Sequence, residues 1–227
     1  MLKVGLTGGI ASGKSVVGEM FVALGAHLVQ ADRLAHELMN PGEAVYNEVV
    51  RHFGREILNV DGSVNRAKLA EIAFGSSADG DNRDRRIQEL NQIVHPAVIR
   101  SQEEWMQAVA VQDRNGVAIV EAALILEAHM GKRFDRLIVV TCSPEQRVAR
   151  FAARQKIDLQ SAKKEVERRM AAQLPDAEKV NAADYVIDNS GSLENTRNQV
   201  ERVWEMLHTE AAGKPNAAHD KSSFPSG

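Results

Sequence analysis

Residues 8 to 15 read Gly-Gly-Ile-Ala-Ser-Gly-Lys-Ser, which meets the spacing G-x-x-x-x-G-K-[ST]. The chemistry this spacing serves is the cradling of a polyphosphate. Glycines at Gly8, Gly9 and Gly13 let backbone N–H groups curl around phosphate oxygens without a Cβ in the way, and the start of a helix stabilises the anion. Ile10, Ala11 and Ser12 form the span between them, and Val16 follows into the helix. Lys14 is expected to reach the β- and γ-phosphates, and the Ser15 hydroxyl to ligate Mg²⁺.

Three further groups of residues fit that chemistry, each with a plainer alternative. Glu121 closes the apolar run Val117–Glu121, where an acid at a strand end can hold a Mg²⁺ shell or simply sit beside one. Asp32 comes two residues after a second apolar run. It suits a general base that accepts a hydroxyl proton, and it equally suits the N-cap of a helix over 33–39. Arg147, Arg150 and Arg154, spaced three and four apart, share one helix face that could close over transferring phosphates or remain a solvated surface. Between Glu145 and Gln173 there are eight Lys or Arg against four Asp or Glu, a basic excess within an acidic protein. His95-Pro96 joins two helical runs, with the proline expected at a helix start and His95 as a cap or a substrate contact.

These residues need a scaffold, and the apolar pattern supplies one. Short runs at Leu2–Thr7, Ala26–Gln30, Val117–Glu121, Leu137–Thr141 and Tyr185–Asp188 are too short for helices and read as buried strands. Helix-like segments alternate with them, which predicts an α/β fold with a parallel five-stranded sheet covered by helices on both faces. The connection from Ala31 to Gly116 is too long for one crossover and reads as a mainly helical insertion, broken by an exposed loop at 75–82. A second helical insertion spans 143–180, with Pro144 at a helix start and Pro175 at a helix end. From Ala211 onward the composition predicts disorder.

The chain has 227 residues, 44% hydrophobic and 26% charged, with a formal charge of −3. It therefore has enough length for a large core and no bulk basic field to draw nucleic acid or anionic lipid. Cys142 is the single cysteine, so it forms no intramolecular disulfide, and a reducing, cytoplasmic setting is expected. No apolar run is long enough to span a membrane, and no signal-peptide region precedes the first strand. Asp113-Arg-Asn-Gly116 matches D-x-x-G, but N-K-x-D is absent, so a guanine-nucleotide switch is set aside and that match is read as a turn.

Taken together, Gly5–Ser15, Gln30-Ala-Asp32, His95-Pro96, Ala123–Glu127, Phe134–Val140, Glu145–Arg150, Arg169–Gln173 and Ala183–Gly191 resemble the dephospho-coenzyme A kinase family. The likeness runs from Leu2 to about Leu207. It implies a fold of the P-loop NTPase type, with a nucleotide-binding core (1–30, 96–142 and 180–210), a helical acceptor-binding region (31–95), a helical lid (143–179) and a tail (211–227). It also implies ATP and Mg²⁺ as cofactors, and phosphorylation of the ribose 3′-hydroxyl of dephospho-coenzyme A by a monomer or small homo-oligomer. The alternative is another nucleoside or small-metabolite kinase of the same fold. By resemblance, Lys14, Asp32, Arg147 and Arg154 are the catalytic candidates, and Asn189 begins a candidate adenine loop. Ser15 and Glu121 are the candidate metal ligands. The chain departs from the family pattern at Gln30, Glu121 and Ala123.

Overall fold

A computed structural model describes the backbone of residues 1–74 and 80–213, and the side chains of these outside 74–84. The chain runs β1 (Leu2–Gly8), α1 (Lys14–Ala23), β2 (His27–Gln30), α2 (Ala31–Leu38), α3 (Ala44–Phe53), α4 (Arg66–Phe74), α5 (Gly80–Gln112) and β3 (Val117–Glu121). It continues through β4 (Arg136–Thr141), α6 (Pro144–Gln155), α7 (Leu159–Ala171), α8 (Asp176–Ala182), β5 (Tyr185–Asp188) and α9 (Leu193–Gly213). The chain divides into two compact units, residues 1–28 with 108–227, and residues 29–107.

The sheet has five strands in the order β2-β3-β1-β4-β5. β1 pairs parallel with β3 on one side and β4 on the other, and β4 pairs parallel with β5. All five expected strands are present, because strands covered on both faces leave near-continuous apolar runs in the sequence. On one face Leu2, Val4 and Leu6 pack with Val17 and Phe21 of α1 and with Val200, Val203 and Leu207 of α9. On the other, Leu137 and Val139 pack with Ile125, Phe134 and Val180. β1 lies between strands reached in opposite directions, so the crevice beyond its carboxyl end is where such sheets take ligands. Asp113–Gly116 is indeed a turn, with Gly116 N–H donating to the Asp113 carbonyl at 3.2 Å.

The unit of residues 29–107 has its own core. Val45, Val49 and Phe53 of α3 meet Leu69 of α4 and Val94, Ala97 and Val98 of α5, with Leu34, Ala35 and Leu38 of α2 against them. Three sequence expectations are corrected. Pro96 starts no helix; it lies inside the continuous α5. Apolar residues on both sides of it, Val94, Ala97 and Val98, are buried in one cluster, so packing holds the helix through a residue that would otherwise break it. The compact unit extends to residue 107 along the same helix. Residues 80–82, expected in a loop, open α5, while 75–79 lie outside the described residues. Residues 211–213 belong to α9, with Ala211 buried at 1% exposure, because Val200, Val203, Leu207 and Ala211 continue one apolar stripe. The rest of the expected tail, 214–227, lies outside the described residues. Among the described residues no helix is long and apolar enough to cross a membrane.

Candidate active site

The phosphate-type loop follows β1 and ends at Gly13, the N-cap of α1, which sits at φ 94° and ψ 23°. Only glycine takes that backbone readily. No side chain caps α1, so its first-turn N–H groups remain available to an anion. Inside the loop, Ser12 N–H donates to the Gly9 carbonyl at 3.3 Å, and Ala11 is held at a left-handed φ of 53°. Lys14 folds its ammonium over the loop, donating to the carbonyls of Gly8 at 3.0 Å and Gly9 at 3.2 Å.

Strand register brings the acid to the loop. Leu6 of β1 stands opposite Glu121 of β3, so the β3 carboxylate reaches the start of α1, where Ser15 Oγ donates to Glu121 Oε1 at 2.8 Å. Glu121 is buried. A hydroxyl and a carboxylate converging beside a polyphosphate loop form a hard oxygen donor pair, and Mg²⁺ is commonly held by one or two such groups with phosphates and water completing the shell. Among the described residues no cluster of three or more His, Cys, Asp or Glu competes for a metal ion.

α6 begins with Pro144 at its first position and the Ser143 hydroxyl accepting from Gln146 N–H at 3.3 Å. From that start it carries Arg147 into the loop wall. Arg147 is 1% exposed, and its Nη2 donates to Asp176 Oδ2 at 2.5 Å. A Cβ on Gly9 would lie 2.0 Å from Arg147 Nη1, so Gly9 is needed for space. Arg147 Nε and Nη1 are buried with no hydrogen-bond partner. Phe151, Ala152, Ala162 and Val166 form the core between α6 and α7, and Ile10 and Ala11 of the loop pack against it.

The remaining candidates divide. Asn189, expected in an adenine loop, has its side chain committed elsewhere: Nδ2 donates to the Ser12 carbonyl at 2.9 Å, while Oδ1 accepts from Thr196 Oγ1 at 3.0 Å. It braces the phosphate loop. Arg154 is exposed on α6 with its guanidinium 5.7 Å from the Phe151 ring centroid. Val16 lies exposed in the first turn of α1. Asp32 does not cap α2: Gln30 holds the N-cap position, no side chain caps the helix, and Asp32 lies exposed in its first turn. One turn on, His36 is held below the usual histidine range by burial and then by the Arg66 charge, with Asp32 opposing both.

Sequence reasoning passed over Asp176 and Lys179, and named Arg150 only for its helix face. Arg150 donates through Nη2 to the Asn189 carbonyl at 2.9 Å and through Nη1 to the Ser12 carbonyl at 3.4 Å; its place on the Arg147 face was the available signal. Asp176 follows Pro175, which precedes α8 and does not end a helix. Lys179 is wholly buried, with Nζ 2.8 Å from Glu127 Oε1. Cys142 is a buried free thiol: burial raises its pKa, against the pull of Arg147 and Arg150.

The dephospho-CoA kinase family model matches residues 2–195. The chain belongs to the dephospho-CoA kinase family. A dephospho-CoA kinase of Aquifex aeolicus is 38% identical over 91% of this chain and 98% of its own length. One from Syntrophotalea carbinolica is 41% identical, covering 88% and 89% respectively. The crystal structure of TT1252 from Thermus thermophilus superposes with a TM-score of 0.72 at 29% identity, over 92% of this chain and 97% of that one. A dephospho-CoA kinase structure from Campylobacter jejuni, at 23% identity and TM-score 0.64 over 92% and 98%, shares the fold. The chain is thus an ATP-using phosphotransferase with an alcohol acceptor, acting at the last step of coenzyme A synthesis.

Proposed function

We propose that this enzyme transfers the γ-phosphoryl group of ATP to the ribose 3′-hydroxyl of dephospho-coenzyme A with Asp32 as general base. The 3′-oxygen forms its bond to the γ-phosphorus as the bridging P–O bond breaks, the electron pair leaves with ADP, and the hydroxyl proton passes to an Asp32 carboxylate oxygen. The loop N–H groups and Lys14 neutralise the donor phosphates, and Arg147 meets charge that develops on the transferring group. Ser15 and Glu121 would hold Mg²⁺, which when bound supplies charge neutralisation for the phosphate oxygens. Arg154 acts from the lid, and the backbone of Asn189–Gly191 faces the base. A cytoplasmic setting fits the lone buried thiol.

The observation that carries the reading is the Ser15–Glu121 contact at the mouth of an uncapped helix. It supports a metal-phosphate site, whereas a bare glycine turn would leave both side chains without that duty. The test is Asp32→Asn. Turnover should fall about a hundredfold while ATP affinity and melting temperature hold, read by mass spectrometry of dephospho-coenzyme A incubated with enzyme, ATP and Mg²⁺. Near-normal turnover would refute the base assignment, and wild-type enzyme that phosphorylated other alcohols in preference would favour a different acceptor.

A further inference from the structure

Arg147 presents an unusual arrangement: a buried cation with one nitrogen paired and the other two without a hydrogen-bond partner. Its Nη2 is held by Asp176 Oδ2 at 2.5 Å, while Nε and Nη1 lack any hydrogen-bond partner and Nη1 presses on Gly9 of the loop. Leaving donors of a buried charged group unpaired is costly. A protein retains such a cost where a ligand removes it, and guanidinium N–H groups are suited to phosphate oxygens. Asp176 itself lies close to the loop, its Oδ1 3.2 Å from where a Gly9 Cβ would stand. A free carboxylate there would repel polyphosphate. Bound to Arg147, its charge is neutralised and its work is orientation.

We infer that Asp176 is the positioning residue of the site: it holds Nη2 of the Arg147 guanidinium and so fixes the cation against Gly9 of the loop, where it meets the charge of the transferring phosphoryl group. This rests on the reading that the loop binds ATP. An arginine side chain is long and conformationally free, so fixing it before substrate arrives removes an ordering cost from the reactive complex. Asp176 is suited to the task because it opens α8, whose remaining turn is anchored through the buried Lys179 to Glu127 on the segment that follows β3. The clamp is therefore tied to the strand that also carries Glu121.

The experiment uses the full chain and a double-mutant cycle between Asp176→Asn, which keeps the shape and one acceptor oxygen, and Arg147→Ala. Asp176→Asn should lower kcat about tenfold with KM for ATP within about twofold, both measured well below its melting temperature, which should itself fall because the buried guanidinium loses its counter-charge; Asp176→Glu should recover part of the loss in kcat. With Arg147→Ala already present, Asp176→Asn should cost less than about twofold more. Full additivity, an unchanged kcat, or tighter ATP binding in Asp176→Asn would overturn the clamp, the last showing that Asp176 competes for the guanidinium. Wild-type enzyme run alongside separates the two readings: failure to phosphorylate dephospho-coenzyme A would strike the functional reading, whereas normal wild-type turnover with any of those outcomes strikes the clamp alone.

Discussion

Lys179→Met offers the most direct test of how α8 is held. Lys179 is 0% exposed and Glu127 17% exposed; the ammonium sits 2.8 Å from Glu127 Oε1 and donates to Gln173 Oε1 at 3.4 Å. Glu127 Oε1 also accepts from Leu174 N–H at 3.2 Å, while Oε2 is buried without a partner. Methionine fills most of the lysine volume, so the change removes charge without opening a large cavity. What remains is a largely buried carboxylate with a single backbone donor, and removing one partner of such a pair costs about 3–5 kcal/mol. Removing both charges, as Lys179→Met with Glu127→Gln, keeps an acceptor for Leu174 N–H and should cost no more than about 1–2 kcal/mol. Urea unfolding at pH 7 should therefore show a large midpoint shift for the single variant, substantial recovery in the double variant, and a constant m-value. In a chain of this size the single variant should melt roughly 10 °C lower. A single-variant loss under about 1 kcal/mol, or a double variant worse than the single, would refute the argument that the pair is held by mutual neutralisation.

Two further outcomes concern the loop and α7. Gly13→Ala forces a Cβ onto a left-handed backbone and 2.1 Å from Asn189 Nδ2, so it should cost roughly 2–4 kcal/mol and weaken ATP binding; unchanged affinity by calorimetry would show that Asn189 does not shape the loop. Glu165 is held down to about 2 by hydrogen bonds from Arg168 and then Arg169. Because its folded pKa lies below the ordinary 4.5, its contribution is complete above that value and is lost as pH falls through about 2. Glu165→Gln should thus lower stability at pH 7 by less than about 1 kcal/mol, since the arginines are exposed. Its melting curve should merge with wild type near pH 2; a gap that persists there would assign the effect to packing.

What was legible in the sequence were features whose physics is local or periodic. The five strands announce themselves as apolar runs, the loop as glycines ahead of Lys14 and Ser15, and α6 as a helix from the spacing of its arginines. Pro96 misled because a proline reads as a boundary unless the packing on both sides is known, and Ala211 because alanine carries little apolar signal without its neighbours in the stripe. Lys179 was invisible for a different reason: a lysine is read as surface by default, and only Glu127, distant in sequence, makes its burial tolerable. Asn189 shows the same limit. Its amide serves Ser12, far along the chain, a contact no spacing rule encodes.

Glu121 shows how register converts a departure in sequence into a working geometry. Parallel pairing of β1 with β3 fixes Leu6 opposite Glu121, and Ala122 N–H donates to the Leu6 carbonyl at 3.1 Å, so the backbone at this point has no freedom to slide. Only side-chain length remains to adjust the reach to Ser15. Glutamate closes that distance to 2.8 Å, which makes the longer acid an adequate occupant here. The same logic extends to the α6 side of the loop. Arg150 and Asn189 both grip the Ser12 carbonyl, Arg147 fills the space that Gly9 leaves, and Asp176 holds Arg147, so the loop is fixed from the sheet and from α6 and α8 together. A polyphosphate entering this cradle meets donors already in place, and the ordering cost has been met by folding.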